Sequence, residues 1–348
     1  MKHIIVGGGP SGLCLAFYLS QKIHSLEEIL LIEKDIQLGG SWNSQWIDDK
    51  YWSENSPRVF SYSKYTKQFM DDIGIKRNDL EPIYGDTILT NIKVADFVIG
   101  HFHFKDYFIF LKGFIKYRFL KNKNSNRTIL LQDWLNSSGL SEKAKTALTI
   151  ISITICDRPD KTNINDFFYS IGVLESYTQF KNPNKWHRLA ENYLLKNRNI
   201  SILKNHEVTG LFDNNTGNKI TGLEYINRET KQKTHIQDDI KVYLCTQSSG
   251  ILSILRKSSP RIKNNWFRYN IMEKWCKETH YNGFGFQIHF KKKRDFPKKW
   301  CWSCFGDWNI IILPVSNWLT EFTKDNSIKT VWSCCIVDMD SRSKRINK

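Results

Sequence analysis

The sequence predicts an α/β protein built from two packed domains, and three observations carry that expectation. The first is length: 348 residues exceed the ~100–200 residues of an ordinary single domain. The second is patterning, since short apolar runs alternate with stretches at helical spacing from the N-terminus onward. His3 to Val6 read as a buried strand, and Leu13, Leu15, Ala16, Tyr18 and Leu19 follow at helical intervals. The third is the glycine-rich turn Gly7-Gly8-Gly9-Pro10-Ser11-Gly12 between them. A content of 41% hydrophobic residues with only 8 prolines and 19 glycines excludes disordered and collagen-like chains.

The formal net charge of +16 raises the question of a polyanionic partner. The lysines are dispersed, however, and the clusters at Lys291, Lys292, Lys293 and Arg294, at Lys298 and Lys299, and at Arg342, Lys344, Arg345 and Lys348 come with no nucleic-acid recognition motif. A solvated surface is the expectation, with no nucleic acid as partner. Eight cysteines are too few for a disulfide scaffold. The N-terminus enters a strand without a basic region and apolar core ahead of it, so no signal peptide is expected and an intracellular, cytoplasmic location follows. The longest apolar run, around Leu148 to Cys156, falls short of the ~20 residues that cross a bilayer.

Gly7, Gly9 and Gly12 form G-x-G-x-x-G between a strand and a helix. Each has a reason: the first permits a tight turn, the second lets backbone approach a pyrophosphate, and the third lets the helix pack on the strand. The helix N-terminus then offers free N–H groups and the positive end of its dipole to phosphates. Ile29 to Ile32 read as the next strand, ending in Glu33, 21 residues past Gly12, where a carboxylate accepts hydrogen bonds from ribose hydroxyls. The N-terminal domain is therefore expected to be of Rossmann type.

From Glu33 to the pair Gly39 and Gly40 the sequence reads E-x-x-x-x-x-G-G. This resembles the run that follows the second strand in FAD enzymes of the amine oxidase, phytoene desaturase and flavin monooxygenase groups. The resemblance implies FAD as cofactor, with the paired glycines set against its diphosphate and ribityl chain. Ser41 and Trp42 follow the pair, where most amine oxidases have an Arg, a departure closer to flavin monooxygenases. The stretch from Trp46 through Tyr51, Glu54 and Ser56 to Phe60 resembles the amine-oxidase segment that returns to the flavin, with Arg58 approaching flavin or pyrophosphate or else pairing at the surface. A helix around Trp186 to Leu195, a strand at Ile200 to Leu203 and then Val208 resemble the return to the FAD domain, in which a Val contacts adenine through its backbone. The strand Ile240 to Cys245, with Thr246 and the apolar Ile251 to Leu255, resembles the strand-to-helix segment that follows. The cofactor-binding set is Gly7, Gly9, Pro10, Ser11, Gly12, Glu33, Lys34, Gly39, Gly40, Ser41, Trp42, Arg58 and Val208.

The intervening sequence reads as an α+β substrate domain. Residues from Ile92 to Leu120 are rich in aromatic and basic side chains, and His101 and His103 alternate as on a strand, without further ligands that would make a metal site. Tyr107 to Leu120 read as a helix that covers a substrate cavity or lies on a membrane surface. Leu130 to Leu135 and Ser141 to Cys156 read as helices, the first ended by Gly139 and the second capped by Ser141. The division expected is 1–90 and 186–257 for the FAD-binding domain, and 91–185 and 258–348 for the substrate domain. Cys301 and Cys304, with Cys334 and Cys335 further on, read as buried thiols. The closing G-x-x-x-G-A-like segment of the family has only a faint echo in Gly306 and Asp307, which lead into an apolar strand at Trp308 to Leu313.

What the resemblance implies is an FAD-dependent oxidoreductase that moves a hydride from a substrate C–H bond, beside an amine nitrogen, to flavin, with dioxygen as acceptor and a small molecule as substrate. No catalytic residue is assigned. The alternatives are an NADPH-using flavin monooxygenase, against which the lack of a second dinucleotide motif counts, and a non-catalytic remnant of the flavin fold.

Overall fold

The computed structural model describes residues 1–24, 26–54, 60–61, 64–82, 102–119, 129–155, 158–172, 177–214, 217–237, 239–266, 268–278, 284–294, 302–304 and 310–336. The first stretch of elements is β1 (Lys2–Val6), α1 (Pro10–Ser20), β2 (Glu28–Ile32), β3 (Ser44–Ile47), β4 (Tyr51–Glu54), β5 (Phe60–Ser61), α2 (Lys64–Asp72) and β6 (Leu80–Pro82). Next come α3 (Phe104–Phe114), continued by a π-helical turn Ile115–Phe119, then α4 (Leu131–Ser137), α5 (Glu142–Ile155), α6 (Ile164–Gly172) and β7 (Tyr177–Phe180). The chain proceeds through α7 (Lys185–Leu194), β8 (Ile200–Leu203), β9 (His206–Asp213), β10 (Ile220–Asn227), β11 (Lys233–Gln237), β12 (Ile240–Leu244), α8 (Ser248–Lys257) and α9 (Tyr269–Glu278). It ends with β13 (Phe284–Phe290), β14 (Trp302–Cys304), β15 (Ile310–Leu313) and β16 (Thr330–Ile336).

These elements divide into two compact units: Met1–Arg58, Lys64–Asp79 and Asn182–His280 form one, and Val59–Ser63, Leu80–Lys181 and Tyr281–Lys348 the other. The first unit is organised around a four-stranded sheet in the order β12-β1-β2-β8, parallel throughout, with Ile4 opposite both Val242 and Leu30. Strands of a parallel sheet covered on both faces read as continuous apolar runs, and β1 and β2 do so: all but their first residues are buried. Leu13, Ala16 and Phe17 of α1 are buried, and Phe17 meets Phe69 of α2 edge-on at 5.2 Å and Tyr193 of α7 at 5.3 Å. Ile4, Val6, Leu30 and Ile32 instead join Val208, Leu211 and Leu223 of the antiparallel sheet β11-β10-β9, together with Ile254, Leu255 and Ile262. Ser258, just past α8, accepts the Leu211 N–H at 2.9 Å, and Gly210 has no side chain because one would lie 3.0 Å from the Lys257 carbonyl.

The second unit contains the antiparallel sheets β5-β7-β6 and β13-β16-β15-β14 and a helical cluster. Phe168 of α6 is the centre of that cluster, with Phe110, Trp134 and Phe167 within 5.6 Å of its ring. Gly113 lets α3 approach, since a Cβ there would lie 2.8 Å from the Trp134 ring. Ser141 caps α5 through its hydroxyl, which accepts the Ala144 N–H at 3.3 Å, and Gly139 takes a positive φ of 77° after α4.

One expectation is overturned here. His103 does not alternate with His101 along a strand; it is the N-cap of α3, because Asp106, three residues on, accepts its backbone N–H at 2.8 Å and so turns the chain into a helix. His101 lies outside the described residues, as do Arg58, Cys301, Gly306 and Asp307. Among the described residues no group of His, Cys, Asp or Glu could hold a metal ion, and no helix is long and apolar enough to cross a membrane.

Candidate nucleotide-binding site

The site is assembled at the carboxyl ends of β1 and β2, where an open α/β sheet leaves room for a ligand. β1 ends at Val6, and Gly7 turns the chain with φ at 104°, its N–H donating to the Ile32 carbonyl at 2.8 Å. A side chain at Gly7 would lie 2.9 Å from the Cys245 carbonyl, so the residue just past β12 forms a wall of the turn. Gly9, extended at φ −76°, is the N-cap of α1, and Pro10 occupies the first turn, where its missing N–H costs nothing. No side chain caps that turn and no acid lies in it, which leaves its N–H groups and dipole available to an anion. Ser11 is exposed at the same end. Gly12 is the closest contact: a Cβ there would lie 1.8 Å from the Gly7 carbonyl oxygen.

A second loop is laced onto the first. Glu33 is buried, and its carboxylate accepts the Gly8 N–H at 2.5 Å and the Asp35 N–H at 2.9 Å. Each oxygen thus keeps a further lone pair. The Gly39 N–H donates to the Gly8 carbonyl at 2.9 Å. Gly39 and Gly40 have φ of 109° and 53°, and a Cβ on Gly40 would lie 2.9 Å from the Gly9 Cα. The two glycine loops therefore meet backbone to backbone, forming a cradle that any side chain would fill. Gly40, Ser41 and Trp42 form a 3₁₀ turn, fixed where the Trp42 carbonyl accepts the Trp186 indole N–H at 3.3 Å.

The structure brings Gly7, Gly9, Pro10, Ser11, Gly12, Glu33, Gly39, Gly40, Ser41 and Trp42 into one neighbourhood. Lys34 is exposed, with its carbonyl accepting from Arg228 at 3.2 Å. Val208 is buried in β9, two residues beyond His206, whose N–H donates to the Glu33 carbonyl at 2.9 Å.

Sequence reasoning missed His187. It is 1% exposed, and a Cβ on Gly39 would lie 3.1 Å from its ring, so Gly39 is small partly because this imidazole lies behind it. Burial, reinforced by Arg188 and Lys204, pushes its pKa down to about 4, and Gln37 Nε2 lies 3.1 Å from its Nε2. The neutral imidazole pairs with the Gln37 amide at Nε2, and its Nδ1 is buried without a partner. Ser44 and Asn184 add a second tie, hydroxyl to side-chain carbonyl at 2.9 Å. No signal in the order of residues 184–187 points to the glycine pair; only the contact does.

Residues 5–73, from β1 through α2, match the model of an NAD(P)-binding Rossmann-like domain. No curated protein matches the chain. Among solved structures, an oxidoreductase from Methanosarcina mazei is similar over the whole of this chain and 81% of its own, with a TM-score of 0.66 and 12% identity. Putrescine oxidase bound to putrescine is similar over 98% of this chain and 77% of its own, at a TM-score of 0.59 and 13% identity. The PF1083 protein from Pyrococcus furiosus is similar over 97% and 79%, at 0.57 and 11%. The chain thus has a mixed α/β fold like that of the Methanosarcina oxidoreductase and putrescine oxidase, with a Rossmann-like domain at residues 5–73.

Proposed function

We propose that this chain is an FAD-dependent oxidoreductase of amine-oxidase type. The observation that carries the reading is the double cradle: the Gly9 and Gly40 backbones meet where a Cβ would be 2.9 Å from its neighbour, beside a buried glutamate at the end of β2. A single glycine-rich turn serves any dinucleotide, whereas a second glycine pair laced to the first suits the longer FAD.

In this reading the N-terminus of α1 and the peptides of Gly9 and Gly40 hold the diphosphate, which needs N–H donors and no intruding side chain. Glu33 directs its remaining lone pairs to the ribose hydroxyls, and its two backbone bonds keep it oriented. The peptide of Val208 borders the adenine, and Ser41 and Trp42 continue the site toward the flavin. Bound FAD would supply the electron sink for hydride removal from a small-molecule substrate, through a C–H bond beside an amine nitrogen, with dioxygen as acceptor. The protein's part is orientation and exclusion of water.

An NADPH-dependent monooxygenase is the second reading, for which Ser41 and Trp42 after the glycine pair speak. Against it, Gly285, in the nearest approach the sequence makes to a second glycine motif, lies inside the antiparallel strand β13, opposite Cys335, and not in a strand-to-helix turn.

The test is the visible absorbance of the purified chain before and after FAD, then after NADPH without oxygen. Flavin bands that an amine bleaches and NADPH does not are the expected result. Bleaching by NADPH selects the monooxygenase, and failure to take up FAD leaves a remnant of the fold.

A further inference from the structure

The helix α3 and its π-helical continuation bury one face and leave the opposite one apolar. Asp106, Gly113 and Tyr117 are buried on the inner side. On the outer side Phe104, Phe108, Leu111 and Ile115, spaced as neighbours along one helical stripe, are 81%, 60%, 53% and 45% exposed. Core packing accounts for the first face only. Phe108, Leu111 and Ile115 line a shallow groove of about 390 Å³ together with Lys112 and Lys116.

Charge identifies what the stripe meets. Lys105, Lys112 and Lys116 are exposed and fall along one flank of the stripe, at helical intervals of seven and four residues. The only acid of the helix, Asp106, is 2% exposed and accepts from Ser141 and His103. A second copy of this helix face would therefore set cations against cations with no exposed carboxylate of the helix to pair them. An apolar stripe bordered by lysines matches the surface of an anionic bilayer, where aromatic and aliphatic side chains enter the acyl boundary and lysines stay among the headgroup phosphates. We propose that α3 is a peripheral docking surface for anionic phospholipid membranes.

This assignment is independent of flavin, and its test uses the full chain without any redox readout. Sedimentation with vesicles of phosphatidylcholine, alone or mixed with phosphatidylserine, is expected to pellet the chain only with the mixed vesicles. Combining Lys105→Gln, Lys112→Gln and Lys116→Gln should weaken binding by about fivefold per lysine. The pair Phe108→Ser and Leu111→Ser should abolish it with circular dichroism unchanged, because both side chains are exposed in the fold. Neutralising Lys291, Lys292 and Lys293, also exposed, is the control and should leave most binding intact. The proposal is overturned if the chain does not pellet with mixed vesicles, or if that control triple loses as much as the α3 triple. It is equally overturned if the serine pair instead dissolves a dimer seen by light scattering, or removes binding to single-stranded oligonucleotide while vesicles go unbound.

Discussion

Gly9 and Gly12 belong to one motif but answer to different constraints, and substitution separates them. A methyl at Gly12 would lie 1.8 Å from a backbone oxygen that cannot yield, so Gly12→Ala is expected to prevent the first strand, turn and helix from closing, read as loss of a cooperative urea transition. At Gly9 the nearest atom, the Gly40 Cα, is 3.7 Å away and φ is an ordinary −76°. Gly9→Ala should therefore keep stability within about 1 kcal/mol and weaken FAD binding tenfold or more, about 1.4 kcal/mol, by placing a methyl in the cradle. His187 makes a prediction in pH. Its imidazole stays neutral down to about 4 in the fold, while the unfolded chain protonates near 6.5. Stability from this group is complete above about pH 6.5 and is lost as pH falls toward 4. Between about pH 7.5 and about pH 5 the loss should be about 2 kcal/mol, and His187→Gln should show a correspondingly flatter dependence in urea unfolding. The glycines and Glu33 were legible in the sequence because their geometry is local. His187 was not, since its role comes from a contact with residues about 150 positions away.

Among the elements, α3 is joined to α5 by one carboxylate. Asp106 accepts the Ser141 N–H at 2.8 Å and its hydroxyl at 2.7 Å, besides the His103 N–H. Burial alone would raise its pKa, but hydrogen bonds from Ser141 and His103 outweigh it and hold the carboxyl below the usual range. That stabilisation is present above the ordinary carboxylate pKa of about 3.9 and is lost as pH drops below it. Asp106→Asn turns one acceptor into a donor facing donors, and should cost about 2 kcal/mol, measured by chemical denaturation at neutral pH. The helix α5 was readable from Ser141 and the apolar run behind it. The start of α3 was misread because His101 and His103 alternate like strand residues, whereas the capping partner Asp106 decides the matter. The helices α2 and α6 went unread, since Lys64–Asp72 carries only Phe69 and Met70 as buried anchors and the apolar run of α6 is too short to betray its period.

For the whole molecule, FAD bound to the folded chain alone should raise its unfolding temperature. At one hundred times Kd the gain is about 2.7 kcal/mol, or roughly 3–4 °C for a chain this long, and Gly9→Ala should erase the shift at the same FAD concentration in a thermal scan. The fold class was legible because strand, glycine turn, helix and acid-ended strand are contiguous in the first 33 residues. The strands that complete the sheet were visible as strands, but their order β12-β1-β2-β8 was not, because parallel pairing across some two hundred residues leaves no local trace. That order has a consequence for synthesis. β1 is made long before one of its neighbours, β12, with Lys2 paired to Ile240 and Val6 to Leu244, and Gly7 finds its wall only when Cys245 arrives. While the chain between them is made, β1 waits with an apolar edge open, so the nascent chain needs shelter until its last parallel partner emerges, and the glycine cradle is among the last features of the first unit to close.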